Sequence, residues 1–521
     1  MEFKSFSALE KATSGSRQEL FRLGTALLFI IGIMLFTYQR MEAVPGSLLL
    51  VIAAMIGGYM AINIGANDVA NNVGPAVGSK AITLTGAILM AAVFEAGGAL
   101  IAGGEVVGTI KKGIINPALI QDANTFIWLM MAALLAAAIW LNVATAMGAP
   151  VSTTHSIVGG VLGAGIAAGG WGIADWDKVG AIAASWVISP VLGGIIAAAF
   201  LYFIKRAIIY RRNKIRAAKT WVPILVALMA WAFSTYLILK GLKKLWKFDF
   251  LTASLIGLAT AVIIYLIIKP MIRRAADKLK DDRDSVNTLF VVPLIFGAAM
   301  LSFAHGANDV ANAVGPLAAI NDAVLHGGVV QKASIPLWVM MVGALGIAIG
   351  LGLYGPKLIK TVGSEITELD KIRAFCIAMA AAITVIIASQ LGLPVSSTHI
   401  AVGGIFGVGF LREFLEANYA RMLDEIKDHH HDDGPEVVEA FLDEFEKANI
   451  TEKGLMLEQL KKKKGPNLFK KERKQLRGVY HTELVKRSIL LKIVAAWVIT
   501  VPLAALMAAM IYFTIRGIML P

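Results

Sequence analysis

The chain has 521 residues, 57% of them hydrophobic and 16% charged, with a mean hydropathy of +0.70, which is too apolar for a water-soluble fold and places it in lipid. The formal net charge of +13 does not indicate nucleic acid, because the basic residues cluster between apolar runs, where positive charge fixes membrane orientation. The one cysteine, Cys376, excludes a disulfide framework and any multi-cysteine metal centre, and is read as a packing residue.

Residues 1–45 comprise a mixed-charge cytoplasmic segment, with Lys4, Lys11 and Arg17 among Glu2, Glu10 and Glu19, and an extra span at Phe21–Tyr38. No small-residue cleavage site follows that run, so it is read as retained. Residues 46–205 form a first unit with apolar runs at Gly46–Ile64, Ala81–Ala102, Phe126–Met147 and Val179–Ile204. Residues 206–288 carry a basic loop and two connecting spans, Trp221–Leu239 and Leu251–Ile268. A second unit starts over residues 289–411, with runs at Leu289–Ala304, Leu337–Tyr354 and Ile372–Leu391. Residues 412–487 interrupt it with a charged stretch that includes Lys461–Lys464, and residues 488–521 complete it through Ile489–Ile511. A bilayer-spanning helix needs roughly 20 apolar residues, so the expected fold is an all-α polytopic membrane protein.

The two units are copies. Gly65-Ala66-Asn67-Asp68-Val69-Ala70-Asn71 returns as Gly306-Ala307-Asn308-Asp309-Val310-Ala311-Asn312, and Pro150-Val151-Ser152-Thr153-Thr154-His155 returns as Pro394-Val395-Ser396-Ser397-Thr398-His399. A weaker echo, Trp186-Val187-Ile188 and Trp497-Val498-Ile499, falls beyond the charged insertion. The insertion suits the cytoplasm, whereas its short first-half counterpart, residues 170–178 with Asp175 and Asp177, suits the outside. Counting spans from a cytoplasmic amino terminus gives the same answer, so the repeats are expected to be inverted, a pattern of secondary transporters whose substrate sites lie where interrupted helices meet.

Each Gly-Ala-Asn-Asp motif puts polar residues directly after an apolar span, where unpaired groups would cost several kcal/mol. Asn67, Asp68, Asn71 and Asn72, with Asn308, Asp309 and Asn312, supply hard oxygen ligands suited to Na⁺, or to a proton at Asp, and Gly65, Gly74 and Pro75 are expected to unwind the helix and release carbonyls. The plainer alternative is that these side chains only cap a broken helix. Each Pro-Val-Ser motif reads as the start of a re-entrant half-helix, running over Ile157–Gly169 and Ile400–Phe410, with serine as cap. Two such amino termini with their hydroxyls would suit a tetrahedral oxyanion; the alternative is that the hydroxyls bond back to the helix. Glu95 within a span is a coupling candidate, as are the matched His155 and His399, which could relay protons or bond the half-helix backbone.

With both duplicated motifs in place, the chain resembles the inorganic phosphate transporter (PiT) family over residues 46–205 and 289–511. The resemblance implies secondary active uptake of inorganic phosphate with Na⁺ or H⁺, inverted repeats and a homodimer. It also implies Na⁺ ligation near Asp68 and Asp309, and phosphate held by Ser152, Thr153, Thr154, Ser396, Ser397 and Thr398. Some animal members carry an acidic residue where Ala378 stands here, while their first-half acid is matched by Glu95. Similar proteins include sulfate permeases, so phosphate has sulfate as its alternative.

A passive anion channel would share the donors but need no pair of ion-binding aspartates. No nucleophile is paired locally with a base, which argues against an enzyme, and no cofactor beyond the coupling ion is expected. The expected location is the cytoplasmic (inner) membrane, with the amino terminus in the cytoplasm.

Overall fold

A computed structural model describes residues 2–41, 46–120, 122–241, 248–327, 335–364, 369–429, 440–444, 456 and 487–520. Most of the charged 412–487 segment therefore lies outside the described residues. The first half contains α1 (Glu2–Met41), α2 (Ser47–Asn67), α3 (Val69–Gly78), α4 (Leu84–Ala102), α5 (Gly104–Lys112), α6 (Ala123–Met147), α7 (Thr153–Gly169) and α8 (Trp176–Ile204). Connecting helices α9 (Lys214–Gly241), α10 (Phe250–Ala276) and α11 (Arg283–Leu289) follow. The second half contains α12 (Val291–Asp309), α13 (Ala311–His326), α14 (Leu337–Ser364), α15 (Lys371–Gln390), α16 (Ser397–His429) and α17 (Arg487–Met519).

Twelve helical stretches among the described residues are long and apolar enough to cross a membrane. Eleven match the apolar runs of the sequence. The twelfth, Ser397–Leu415, covers the run expected to be a re-entrant half-helix and stays helical past Phe410, long enough by itself to cross a membrane; its first residue is buried at a hairpin tip.

Polarity is arranged for lipid. Large apolar side chains lie exposed along α1 (Leu28, Leu35), α10 (Leu255, Leu266) and α17 (Leu506, Phe513), whereas Asn67, Asp68, Asn308 and Asp309 are buried. With hydrocarbon outside, burial of apolar area cannot drive helix association, so close packing and internal polar bonds must hold the bundle together.

α6 and α7 form one hairpin, α15 and α16 another. Their turns carry Gly148 (φ +74°) and Gly392 (φ +66°), left-handed positions that glycine occupies without a Cβ penalty. The tips pass each other at the centre: Thr154 donates to the Val395 carbonyl (3.0 Å), Thr109 of α5 to Gly392 (2.8 Å), and Lys357 of α14 to Ala146 (2.9 Å). The second helix of each hairpin packs on the closing helix of the other half, α7 on α17 and α16 on α8. A Cβ at Gly163 would lie 2.1 Å from the Ala505 carbonyl, and one at Gly407 2.1 Å from the Gly194 carbonyl, so these backbones touch directly.

The motif helices do not unwind as the sequence led us to expect. Only Asp68 separates α2 from α3, and it keeps helical angles (φ −79°, ψ −39°); Val310 does the same between α12 and α13 (φ −54°, ψ −30°). Gly65 serves proximity instead, since a Cβ there would sit 1.9 Å from the Ile347 carbonyl. The polar groups at the centre are thus side chains more than freed carbonyls.

Candidate functional site

The two kinds of motif, distant in sequence, interlock at the hairpin tips. Asp68 accepts from Thr153 (2.5 Å) through Oδ2 and from Thr398 (3.0 Å) through Oδ1, so it joins both hairpins. Asp309 accepts from Ser397 (3.1 Å). Asn71 donates to Thr398 (2.9 Å), and Asn312 donates to Thr153 (3.0 Å) and Thr154 (3.2 Å), so each asparagine reaches the hairpin of the other half. The groups read as a cation set and an anion set form one network.

Asn67 and Asn308 also bond the hairpin turns. Asn67 donates to Thr145 (2.9 Å) and the Ala149 carbonyl (3.2 Å) and accepts from the Val151 amide (3.1 Å). Asn308 repeats the two donated bonds on the second hairpin, to Ser389 (3.0 Å) and the Leu393 carbonyl (3.4 Å), but its Oδ1 accepts none. They hold the turns in place. Ser152 and Ser396 cap α7 and α16 by accepting from the amides of His155 (3.1 Å) and His399 (3.2 Å), as expected of the first residue of each half-helix. Capping leaves the earlier amides of each first turn without an intrahelical partner, and these point towards the centre with the positive ends of the helix dipoles.

Glu95 does enter the site. Its Oε1 accepts from Asn72 (2.8 Å), and its Oε2 lies 2.6 Å from Nδ1 of His305. Nε2 of His305 lies 2.8 Å from Asp309 and 4.0 Å from Asp68, though without the alignment of a hydrogen bond. Glu95, His305 and Asp309 are each 0% exposed and Asp68 is 1% exposed. Three carboxylates therefore converge on one imidazole in the protein interior, where an uncompensated charge costs several kcal/mol.

His305 was not anticipated from the sequence, and Asn72, read there as one of the oxygen ligands, is also the donor that holds Glu95. A signal existed for both: His305 is an ionisable residue in an apolar span where the first half has Ile64, and Asn72 stands where the second half has Ala313. Residues that break the duplication mark an asymmetric part of the site.

Several buried oxygens in this cluster make no hydrogen bond: Oδ1 of Asn71, Asn72, Asn308, Asp309 and Asn312. Carboxylate and amide oxygens are the hard donors that alkali cations prefer. Ligand atoms of Asp68, His305 and Asp309 lie within 4.8 Å of one another. The donor chemistry fits a cation among them.

His155 and His399 are not brought to this cluster. They meet edge to face (ring centroids 4.3 Å apart) on its far side, His155 against Trp186 (3.8 Å) and His399 stacked on Trp497 (3.6 Å). They border an apolar groove of about 900 Å³ between α8, α16 and α17.

Comparison with known proteins identifies the family and the fold. Residues 64–508 match the profile of the phosphate transporter family. The chain belongs to that family. It is 55% identical over 523 residues to a protein of Helicobacter pylori J99 named as a candidate phosphate permease, with 98% of each chain covered. It is 40% identical over 377 residues to one from Pyrococcus horikoshii, covering 72% of this chain and 92% of the relative. A solved structure titled as the sodium-dependent phosphate transporter superposes with a TM-score of 0.74 at 32% identity, over 90% of this chain and all of the other. In this member of the phosphate transporter family, the matched region begins at Ile64 and so takes in both motif pairs and the hairpins between them.

Proposed function

We propose that this chain imports inorganic phosphate by secondary active transport coupled to Na⁺ or H⁺, across the cytoplasmic membrane. The observation that carries the reading is the buried cluster of Asp68, Glu95 and Asp309 around the single imidazole of His305, with the hairpin hydroxyls bonded to Asp68 and Asp309. Such a cluster demands cations or protons. A cation bound to the idle oxygens of Asn71, Asn308, Asp309 and Asn312 would neutralise the aspartates. Thr153, Thr398 and Ser397 would then be free to turn from carboxylate to anion, beside the amides of two half-helix amino termini. Cation first and anion second is coupling without any moving lysine or arginine. The solved relative is titled as sodium-dependent, which favours Na⁺ over H⁺.

Phosphate near neutral pH keeps at least one proton and can donate a hydrogen bond, whereas sulfate can only accept. A site rich in carboxylates offers that proton an acceptor and leaves sulfate with an unpaired, repelled contact, a discrimination of several kcal/mol. Arsenate is expected to compete strongly with labelled phosphate for uptake into proteoliposomes, and excess sulfate weakly. Equal inhibition by the two would point to the sulfate permease reading instead.

Orientation is part of the same proposal. The first hairpin opens beside the Ile115–Ala174 bridge, and its turn reaches towards Lys357 of α14. The second opens at Asp370 beside Arg283, and its turn reaches towards Thr109 of α5. These contacts support halves of opposite sense, with the charged insertion and the amino terminus in the cytoplasm. Impermeant thiol reagents should reach cysteines engineered at residues 170–178 and 412–487 from opposite sides of the membrane. Labelling of both from one side would overturn the inverted arrangement.

A further inference from the structure

The duplicated halves differ where α5 meets α13. Gly74 and Gly315 hold the same place in the two motifs, and a Cβ at the first would lie 2.9 Å from Val362 of α14, a Cβ at the second 2.8 Å from Ile110 of α5. Val362 and Ile110 are therefore counterparts, and so are the residues that follow them, Gly363 and Lys111. Gly363 lies against main chain: a Cβ there would sit 2.5 Å from the Gly74 carbonyl and 3.1 Å from the Gly78 amide. At the matching place in the other seam, Lys111 forms an ion pair with Asp322, which stands one turn beyond Ala319, the counterpart of Gly78. Both charged side chains are buried.

One seam is thus closed by backbone and the other by two opposite charges. A buried ion pair has two favourable arrangements, closed and dry with each charge answered by the other, or parted and wet with each answered by water; parted and dry is strongly unfavourable. Such a two-state contact is what a gate requires. Its place is beside the loop read as external, because three residues after Lys111 the Ile114 carbonyl accepts from the Asp175 amide (3.0 Å). The same helix reaches the central site through Thr109, which donates to the Gly392 carbonyl at the turn of the second hairpin (2.8 Å). We propose that Lys111 and Asp322 are positioning residues of the transport cycle, an outer gate at which α5 parts from α13 to let phosphate and its coupling cation reach the hairpin tips. The gate rests on the transport reading above, and its outer location on the orientation given there, so opening is measured separately from uptake.

Ala319→Cys, in a Cys376→Ala background, puts a single thiol in the closed seam, where Ala319 is 0% exposed. With the full chain in proteoliposomes, an impermeant thiol reagent is applied to each face in turn, and the thermal midpoint is recorded alongside. Asp322→Asn and Lys111→Gln each leave one buried charge without its partner and are expected to speed labelling about ten-fold or more from the face of residues 170–178. Lys111→Met combined with Asp322→Leu replaces the pair by apolar side chains that pack in its place. This double variant is expected to fold as well as wild type and label no faster, and to lose about ten-fold in the maximal rate of phosphate uptake with the phosphate KM unchanged. A pair that serves stability alone would instead recover uptake together with folding. Wild-type labelling in both single variants, or wild-type uptake in the double variant, overturns the gate; the double variant decides even where a single variant does not fold. Faster labelling from the opposite face alone supports the gate and overturns its outer location. Uptake of sulfate in place of phosphate by the wild type would fault the substrate reading and leave these labelling rates untouched.

Discussion

Replacing Asp68 or Asp309 with Asn is expected to cut cation-driven phosphate uptake about a hundred-fold while the protein still folds. Asparagine keeps the shape of the side chain and an oxygen that can accept from Thr153 or Thr398 at position 68, or from Ser397 at position 309. It removes the charge that a coupling cation needs. Losing one partner of a buried charge pair costs about 3 kcal/mol, which is about a hundred-fold in an equilibrium constant. Asp68 is the more sensitive of the two structurally, because it alone bonds hydroxyls of both hairpins. Uptake of labelled phosphate into proteoliposomes, with Na⁺ and pH gradients imposed separately and circular dichroism as the check on folding, measures the effect. If both variants keep the cation dependence of the wild type, the aspartates do not hold the coupling ion.

The second large effect concerns packing alone. Gly407→Val would drive a branched side chain into the main chain of α8, where even a Cβ would lie 2.1 Å from the Gly194 carbonyl. Overfilling a packed interior with flexible neighbours costs about 1–3 kcal/mol, and here the neighbour is backbone, which cannot rotate away. A cost of at least about 3 kcal/mol is therefore expected, with α16 pushed from α8 and the second hairpin tip displaced from Asp68. Gly404→Ala on the same helix is the control, since its nearest contact would be Ile377 at 3.4 Å, an ordinary van der Waals distance. The thermal midpoint in detergent should fall sharply for the first variant and little for the second. Similar midpoints for the two would mean that the close approach of α16 and α8 contributes nothing to stability.

Much of this protein is legible in its residues. Apolar length by itself marks eleven spans, because a helix must cover the hydrocarbon thickness whatever its neighbours are. The repeated Asn-Asp and Pro-Val-Ser motifs identify the residues of the central network, because polar groups survive at that depth only when they have partners or a ligand. Serine before each half-helix reads as a cap because capping is local, and it is one.

Partnership is what only the tertiary structure decided. That Asp68 bonds Thr398, 330 residues away, depends on how two hairpins pass each other, and no local pattern encodes it. The same holds for Asn67 and Asn308, which share a motif with Asp68 and Asp309 but bind hairpin turns. Gly65 looks in sequence like a helix breaker, yet what it meets is the Ile347 carbonyl of another helix, and close approach of backbones is a property of pairs. His155 and His399 lie in the motifs but face two tryptophans, whereas His305, outside the matched motif, joins Glu95 to Asp309. Sequence separates polar from apolar by depth; the fold determines which polar groups meet, because hydrogen bonds and ion pairs act over about 3–4 Å between elements whose positions packing alone sets.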